Sequence, residues 1–362
     1  MGTLKDYINR DSVGQLGAAI AEVDADFPVR GFVSDSMRGL GSLELKARID
    51  HVARSLDRHL PPDFTAAAEV VTEALDGVEL SVWSAWPVTD WVAIAGIDHF
   101  EDSVKLLEHV TPIASAEFAV RPFIDKKPAA MKRVLRRWAR SKDPHVRRLA
   151  SEGTRPRLPW APRLTATDDD PAWALFILDN LRDDPSEYVR KSVANHLNDI
   201  CKLDPDLGLA TAQRWLEDGG SNAAWIVRHG LRTLIKRGDH LALMLLGADA
   251  AASVEVDSLK LKRRRIRLGE DLEFSFTIRN AERKDVVAIV DYAIHFVKSN
   301  GSRTPKVFKL KTLEMSPGQE MSLSRRFPVR EITTRRYYSG PHRLEIQCNG
   351  TVGAATEFHL QT

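Results

Sequence analysis

At 362 residues, 43% hydrophobic and with a formal net charge of +2, the chain is too long for one ordinary core, so two globular domains are expected. No run of about 18 apolar residues could span a bilayer, and the opening MGTLKDYINRDSVGQL has no signal-peptide pattern, so a cytoplasmic protein is expected. The only cysteines, Cys201 and Cys348, lie far apart, which excludes a disulfide framework and a thiolate metal site.

The small net charge hides an asymmetry. Residues 254–362 hold 20 basic and 13 acidic residues, whereas residues 1–253 hold 32 and 37. Between Lys126 and Arg163 stand 13 Lys or Arg against two acids, Asp143 and Glu152. Such a patch could meet phosphates; solvated helix faces would explain the same charges.

From about Ser42 to Gly247 apolar residues recur at helical spacing. DPHVRRLASEG at 143 and DPSEYVRKSVANHLNDI at 184 both open with Asp-Pro, read as an N-cap followed by proline at the first helical position. Val-Arg recurs at 120, 146, 189 and 227, at intervals of 26, 43 and 38 residues, near the length of a HEAT-type helix pair. Outer helices are expected over 129–140, 172–182 and 207–216, each before an inner helix bearing the Val-Arg pair. Val189, Val193, Leu197 and Ile200 form an apolar stripe, while Lys191, Asn195 and Asp199 form a second row that would face the hollow of an α-solenoid. Aligned on Val146 and Val189, Arg148 stands opposite Lys191 and Glu152 opposite Asn195, so Glu152 and Asp199 could share one groove. After Glu152, Gly153 and the prolines at 156, 159 and 162 end the helix and put Trp160 on a stiff loop. Trp83, Trp86, Trp91, Trp138 and Trp225 sit in apolar helical patterns and read as core.

Beyond Ala252 the pattern alternates, in VEVDSLKLK, DLEFSFTIRN, VVAIVDYAIHFV, VFKLKTL, EMSLSRRFPV and HRLEIQCNG, punctuated by Asn300-Gly301, Pro317-Gly318 and Ser339-Gly340-Pro341. About seven strands are expected in an immunoglobulin-like sandwich. The fold class is therefore an α-solenoid of HEAT-like pairs over 1–250 followed by an all-β sandwich over 254–362. The clusters KLKRRRIR (260–267) and TRRYYSG (334–340) could grip a nucleic-acid backbone or protect sheet edges.

EFAVRPFI (117–124), SEGTRPRLPWAPRL (151–164) and DPSEYVRKSVANHLNDI (184–200) resemble the AlkC family of bacterial alkylpurine DNA glycosylases, relatives of the HEAT-like AlkD enzymes. The C-terminal part resembles the immunoglobulin-like domain of some members. The resemblance implies excision of cationic N-alkylated bases, 3-methyladenine and 3-methylcytosine among them, from double-stranded DNA without swinging the base into a deep pocket, unlike most glycosylases.

Such a base already carries positive charge and leaves readily, so the difficulty moves to the sugar. A fixed carboxylate can stabilise an oxocarbenium-like transition state and position water. Glu152, Asp199 and Glu117 are the candidates. The competing readings are a helical Glu152–Arg148 pair, a helix-end acid for Asp199 and a Glu117–Arg121 pair. Trp160 could face the alkylated nucleotide through its indole, or plug the proline loop. Arg148, Arg155, Arg157, Lys191 and Arg228 are expected on phosphates, with Asn195 in the same row. No His-x-Asp iron site, phosphate-cradling Gly-rich loop or Schiff-base lysine stands out, so a monofunctional, cofactor-free and metal-free monomer is expected. The alternative from another class is a non-catalytic HEAT scaffold that binds nucleic acid or protein.

Overall fold

The computed structural model describes residues 3–248, 252–332 and 335–362. The chain divides into two compact units, Met1–Gly208 with Trp215–Gly230, and Leu209–Arg214 with Leu231–Thr362. The expected boundary at 250 falls outside the described residues. The short helices Arg232–Lys236 and His240–Met244 belong with the strands rather than with the solenoid. Their link to the sandwich is close: Gly238 and Gly350 both have positive φ, and a Cβ on Gly350 would stand 2.2 Å from the Gly238 Cα, so the two backbones meet where no side chain fits.

In the first unit, outer helices Phe64–Gly77, Phe100–Val110, Pro128–Trp138 and Leu175–Leu181 alternate with inner helices Leu45–His59, Val82–Ala95, Arg121–Lys126, Pro144–Glu152, Glu187–Leu203 and Ala223–Gly230. One device recurs between repeats: the buried indoles of Trp91, Trp138 and Trp215 donate to Asp57, Glu108 and Asp179 at 3.2, 2.7 and 2.7 Å. Each satisfies its N–H with a carboxylate from the preceding repeat while its ring fills the layer.

The predicted capping of the two Asp-Pro helices holds once. Asp143 caps Pro144–Glu152, its side chain accepting from the His145 N–H at 2.7 Å. At 184 the helix starts later, at Glu187, with Ser186 at the N-cap position. Asp184 instead accepts from the Ser186 N–H at 2.8 Å and pairs with Arg147 at 2.6 Å, so it stabilises the turn before the helix. The stripe Val189, Val193, Leu197 and Ile200 is completely buried.

Among the described residues the second unit has eight strands: β1 Val254–Leu261, β2 Arg265–Arg267, β3 Asp271–Asn280, β4 Val286–Val297, β5 Arg303–Met315, β6 Glu320–Pro328, β7 Gly340–Cys348 and β8 Thr351–Gln361. They form two sheets, β1-β3-β6 and β2-β8-β7-β4-β5. Alternate residues Leu272, Phe274, Phe276 and Ile278 of β3 face Tyr292, Ile294 and Phe296 of β4 across one core. Asn300-Gly301 closes the β4–β5 hairpin, with φ 76° at Gly301.

Candidate functional site: a buried acid cluster on the inner helices

Glu152, the last residue of its helix, is buried and fully partnered. Its Oε1 accepts from Arg155 Nη1 at 2.6 Å and has Arg148 Nη2 at 3.6 Å; its Oε2 accepts from Ser192 Oγ at 2.6 Å. Ser192 Oγ also lies 2.9 Å from Ser151 Oγ. Repeat alignment placed Asn195 opposite Glu152; the contact falls one turn earlier, because the two helices meet where Ser151 and Ser192 are small enough for close approach.

Arg155 joins this carboxylate to the next. It donates through Nε to Asp199 Oδ2 at 2.9 Å, and Lys202 Nζ takes Asp199 Oδ1 at 2.9 Å. Glu152 and Asp199 therefore converge on one guanidinium. They do not both face an open groove, since the Asp199 side chain has 0% exposure. At about 100° per residue an i, i+4 row drifts by about 40° per step. Starting from exposed Lys191, the row passes half-buried Asn195 and ends with Asp199 inside, near the Ser192 face.

Glu117 completes the cluster from the segment before Arg121–Lys126. Arg148 Nη1 donates to its Oε2 at 2.6 Å and the Ser115 hydroxyl donates to the same oxygen. The anticipated Glu117–Arg121 pair does not form. Arg121 is buried and donates to the main-chain oxygens of Gly153, Arg155 and Pro162 at 3.1, 2.8 and 2.8 Å, so it pins both ends of the proline loop. Burial brings its pKa down to about 10, against the opposing pull of Asp125 and Asp168. For Arg148 and Arg155 burial acts in the same direction. The carboxylates of Glu117 and Glu152 around Arg148, and of Glu152 and Asp199 around Arg155, outweigh it, raising both pKa values above the ordinary arginine range.

Gly153 ends the Glu152 helix in right-handed geometry. Its lack of a side chain serves packing, because a Cβ there would stand 2.5 Å from Val120 Cγ1. Trp160 has a positive φ of 66° and is 67% exposed, which rules out a packing plug. A bulky residue held in this backbone region is uncommon and marks a constrained presentation.

Comparison with known proteins gives the family. A family model described as "DNA alkylation repair enzyme" matches residues 113–234, which include every candidate site residue. A second, the C-terminal Ig-like domain of the uncharacterised protein YhaZ, matches residues 255–362. The uncharacterised protein YhaZ of Bacillus subtilis (strain 168) is 38% identical over 99% of this chain and 100% of its own length. Pseudomonas fluorescens alkylpurine DNA glycosylase AlkC, bound to DNA containing an abasic site analogue, is 37% identical with a TM-score of 0.94, covering 100% of both chains. The chain belongs to the AlkC family of DNA alkylation repair proteins.

Set against its AlkC-family fold, the expected phosphate ligands separate into two groups. Arg148 and Arg155 are enclosed and committed to carboxylates, so they are corrected from phosphate contacts to supports of the acid cluster. Arg157 pairs with Asp168 at 2.8 Å. Lys191 is exposed beside Glu187 at 3.4 Å, and Arg228 is half-buried on Ala223–Gly230. Asn195 Oδ1 stands 3.2 Å from His229 Nε2. Much of the basic stretch is neutralised by acids from elsewhere: Lys126 by Asp98, Arg137 by Glu108 and Arg147 by Asp184.

Tyr188 was missed, and of the tryptophans expected in the core Trp83, Trp86 and Trp225 are not buried. Tyr188 is exposed beside the cluster, with the Arg148 guanidinium 4.8 Å from its ring centre. Trp225, expected in the core, is 40% exposed and stacks on His229 at 5.4 Å. Both follow from position on inner helices, a signal that periodicity alone cannot separate from core. In the sandwich, KLKRRRIR lies on the sheet-edge strands β1 and β2 and the turn between them. Of TRRYYSG, Thr334 is outside the described residues, Tyr337 is core and Arg335 lies 4.0 Å from the Phe296 ring centre. Among the described residues no group of three or more His, Cys, Asp or Glu is placed to hold a metal ion, and no helix is long and apolar enough to cross a membrane.

Proposed function

We propose that the chain is a monofunctional DNA glycosylase that hydrolyses the N-glycosidic bond of cationic N-alkylated bases such as 3-methyladenine and 3-methylcytosine in duplex DNA. The observation that carries this reading is the convergence of Glu117, Glu152 and Asp199 around Arg148 and Arg155, in a chain similar over its whole length to an alkylpurine DNA glycosylase.

As the C1′–N bond breaks, its electron pair leaves with the base and cancels the ring's positive charge. The deoxyribose becomes electron-poor, water adds at C1′ and loses a proton, and the products are free base and an abasic site. A preorganised negative site stabilises the charge on the sugar without reorganising in the transition state. Glu152 and Asp199 have every carboxylate oxygen occupied by a donor. Glu117 Oε1 takes no donor among the described residues, and its side chain is 15% exposed. On this reading Glu117 would meet sugar or water, Glu152 would supply the field beside it, and Asp199 would position Arg155. Trp160 presents an indole face to the cationic nucleotide, and Lys191 and Arg228 are the phosphate contacts. The basic second unit is proposed to add to DNA capture.

Incubation with methylated DNA and no added cofactor tests the reading. Release of free 3-methyladenine is expected. Iron-dependent formaldehyde would indicate an oxygenase, and binding without release would indicate a scaffold; either result rejects it.

A further inference from the structure

The inner face changes character at the acid cluster. Towards the C-terminus it carries Lys191 and Arg228; towards the N-terminus it is aromatic. Tyr7 and Trp83 lie parallel, with ring centres 5.0 Å apart and planes 11° apart. Trp83 meets Trp86 at 6.1 Å, and Trp86 lies nearly parallel to Phe118 at 6.0 Å. The row of rings therefore runs from Tyr7 to Phe118, the residue that follows Glu117 in the sequence. Its outer end is open, with Tyr7 54%, Leu4 51% and Val82 42% exposed. Two nearby cations are engaged, Lys5 by Glu44 and Lys46 by Asp90, each at 2.7 Å. Lys46 also lies 4.8 Å from the Phe118 ring centre. Such a surface offers little to a phosphate, whereas an open ring at the end of a parallel stack fits a flat nucleobase as its next layer.

We propose that Tyr7, Trp83, Trp86 and Phe118 form a stacking platform for unpaired nucleobases next to the lesion, so that the substrate class includes lesions flanked by single-stranded DNA. This rests on the glycosylase reading above, which places DNA on the inner helices. Bases in an intact duplex present edges rather than faces, so the platform engages only an unpaired flank. One base–aromatic stack corresponds to about 5- to 150-fold in affinity. Stacking displaces no phosphate counterions, so the salt dependence is set elsewhere.

The test compares DNA carrying an abasic-site analogue, either fully paired or with an unpaired flank on one side, by fluorescence anisotropy at several salt concentrations. Wild type should bind a flanked substrate at least about fivefold more tightly than the paired one. Tyr7→Ala should abolish that preference, while Tyr7→Phe retains it. Paired-duplex affinity and the salt slope should be unchanged in both variants. Tyr7 is exposed, so its truncation leaves the core intact, and thermal melts check this. No preference in wild type, or one that survives Tyr7→Ala, overturns the proposal. So does a wild-type dimer that Tyr7→Ala converts to monomer, which would assign the patch to a second copy. Base release from methylated duplex is measured in parallel: release without flank preference rejects the platform alone, and flank preference without release rejects the glycosylase reading alone.

Discussion

Arg155→Met keeps the aliphatic stem and removes the guanidinium that joins Glu152 to Asp199. Both carboxylates are enclosed, and Arg155 donates to them at 2.6 and 2.9 Å. Removing one partner of a buried ion pair costs about 3–5 kcal/mol, because the remaining charge is left uncompensated. Here Asp199 keeps Lys202 at 2.9 Å, and Glu152 keeps Ser192 at 2.6 Å and Arg148 at 3.6 Å. The expected loss is therefore at the lower end, about 3 kcal/mol. Urea denaturation at pH 7, followed by helical circular dichroism, measures it. The same substitution in a Glu152→Gln, Asp199→Asn background should cost about 2 kcal/mol less, since no buried negative charge then needs compensation. A loss below about 1 kcal/mol, or an equal loss in both backgrounds, would mean that Arg155 contributes packing and not charge compensation.

Glu117→Gln and Glu152→Gln should each slow single-turnover base release by about 100-fold or more while DNA affinity changes little; equal losses of both would assign these residues to binding. Lys191→Ala should reduce the slope of log affinity against log salt by about 0.9, and Arg157→Ala should change it less, because Asp168 already pairs that guanidinium; the reverse order would refute the phosphate assignment. Burial brings the His196 imidazole down to about 4 from 6.5, so between those pH values the unfolded chain binds a proton that the folded chain does not. Its contribution to stability is complete above pH 6.5 and falls by about 3 kcal/mol on acidification to pH 4. His196→Gln should flatten that part of the stability profile, and an unchanged profile would refute the assignment.

The parts of the fold legible in the sequence are those set by local pattern. The buried stripe from Val189 to Ile200 follows from spacing, and β3 and β4 occupy the segments that alternation marked. Strand β8 was not expected because TVGAATEFHLQ is rich in Gly, Ala and Thr and has few large apolar residues; pairing with β7 makes it a strand. The three candidate acids, proposed from motif resemblance, are brought together by the structure; their partners were not legible. Arg148 and Arg155 read as phosphate ligands because charge in sequence does not reveal that Glu117 and Asp199 lie 31 and 44 residues away along the chain yet within hydrogen-bonding distance. Arg121 likewise looked like a helical pairing partner, although its guanidinium crosses to the loop that carries Trp160.

These long-range partners account for an acid at position 152 in so basic a stretch. Arg148, Arg155 and Lys202 face Glu117, Glu152 and Asp199, so the cluster is formally neutral and can approach a phosphate backbone without net repulsion. Neutrality alone would give no catalytic field; on the proposed reading, the asymmetry of the contacts supplies one. The cations lie on the enclosed oxygens, and Glu117 Oε1 takes no donor among the described residues. If the chain acts as proposed, positive charge forming on a sugar there would meet the negative end of an already oriented array. The buried arginines thus hold the carboxylates in place, so an arginine lost from the cluster should impair catalysis through geometry even where DNA affinity is preserved.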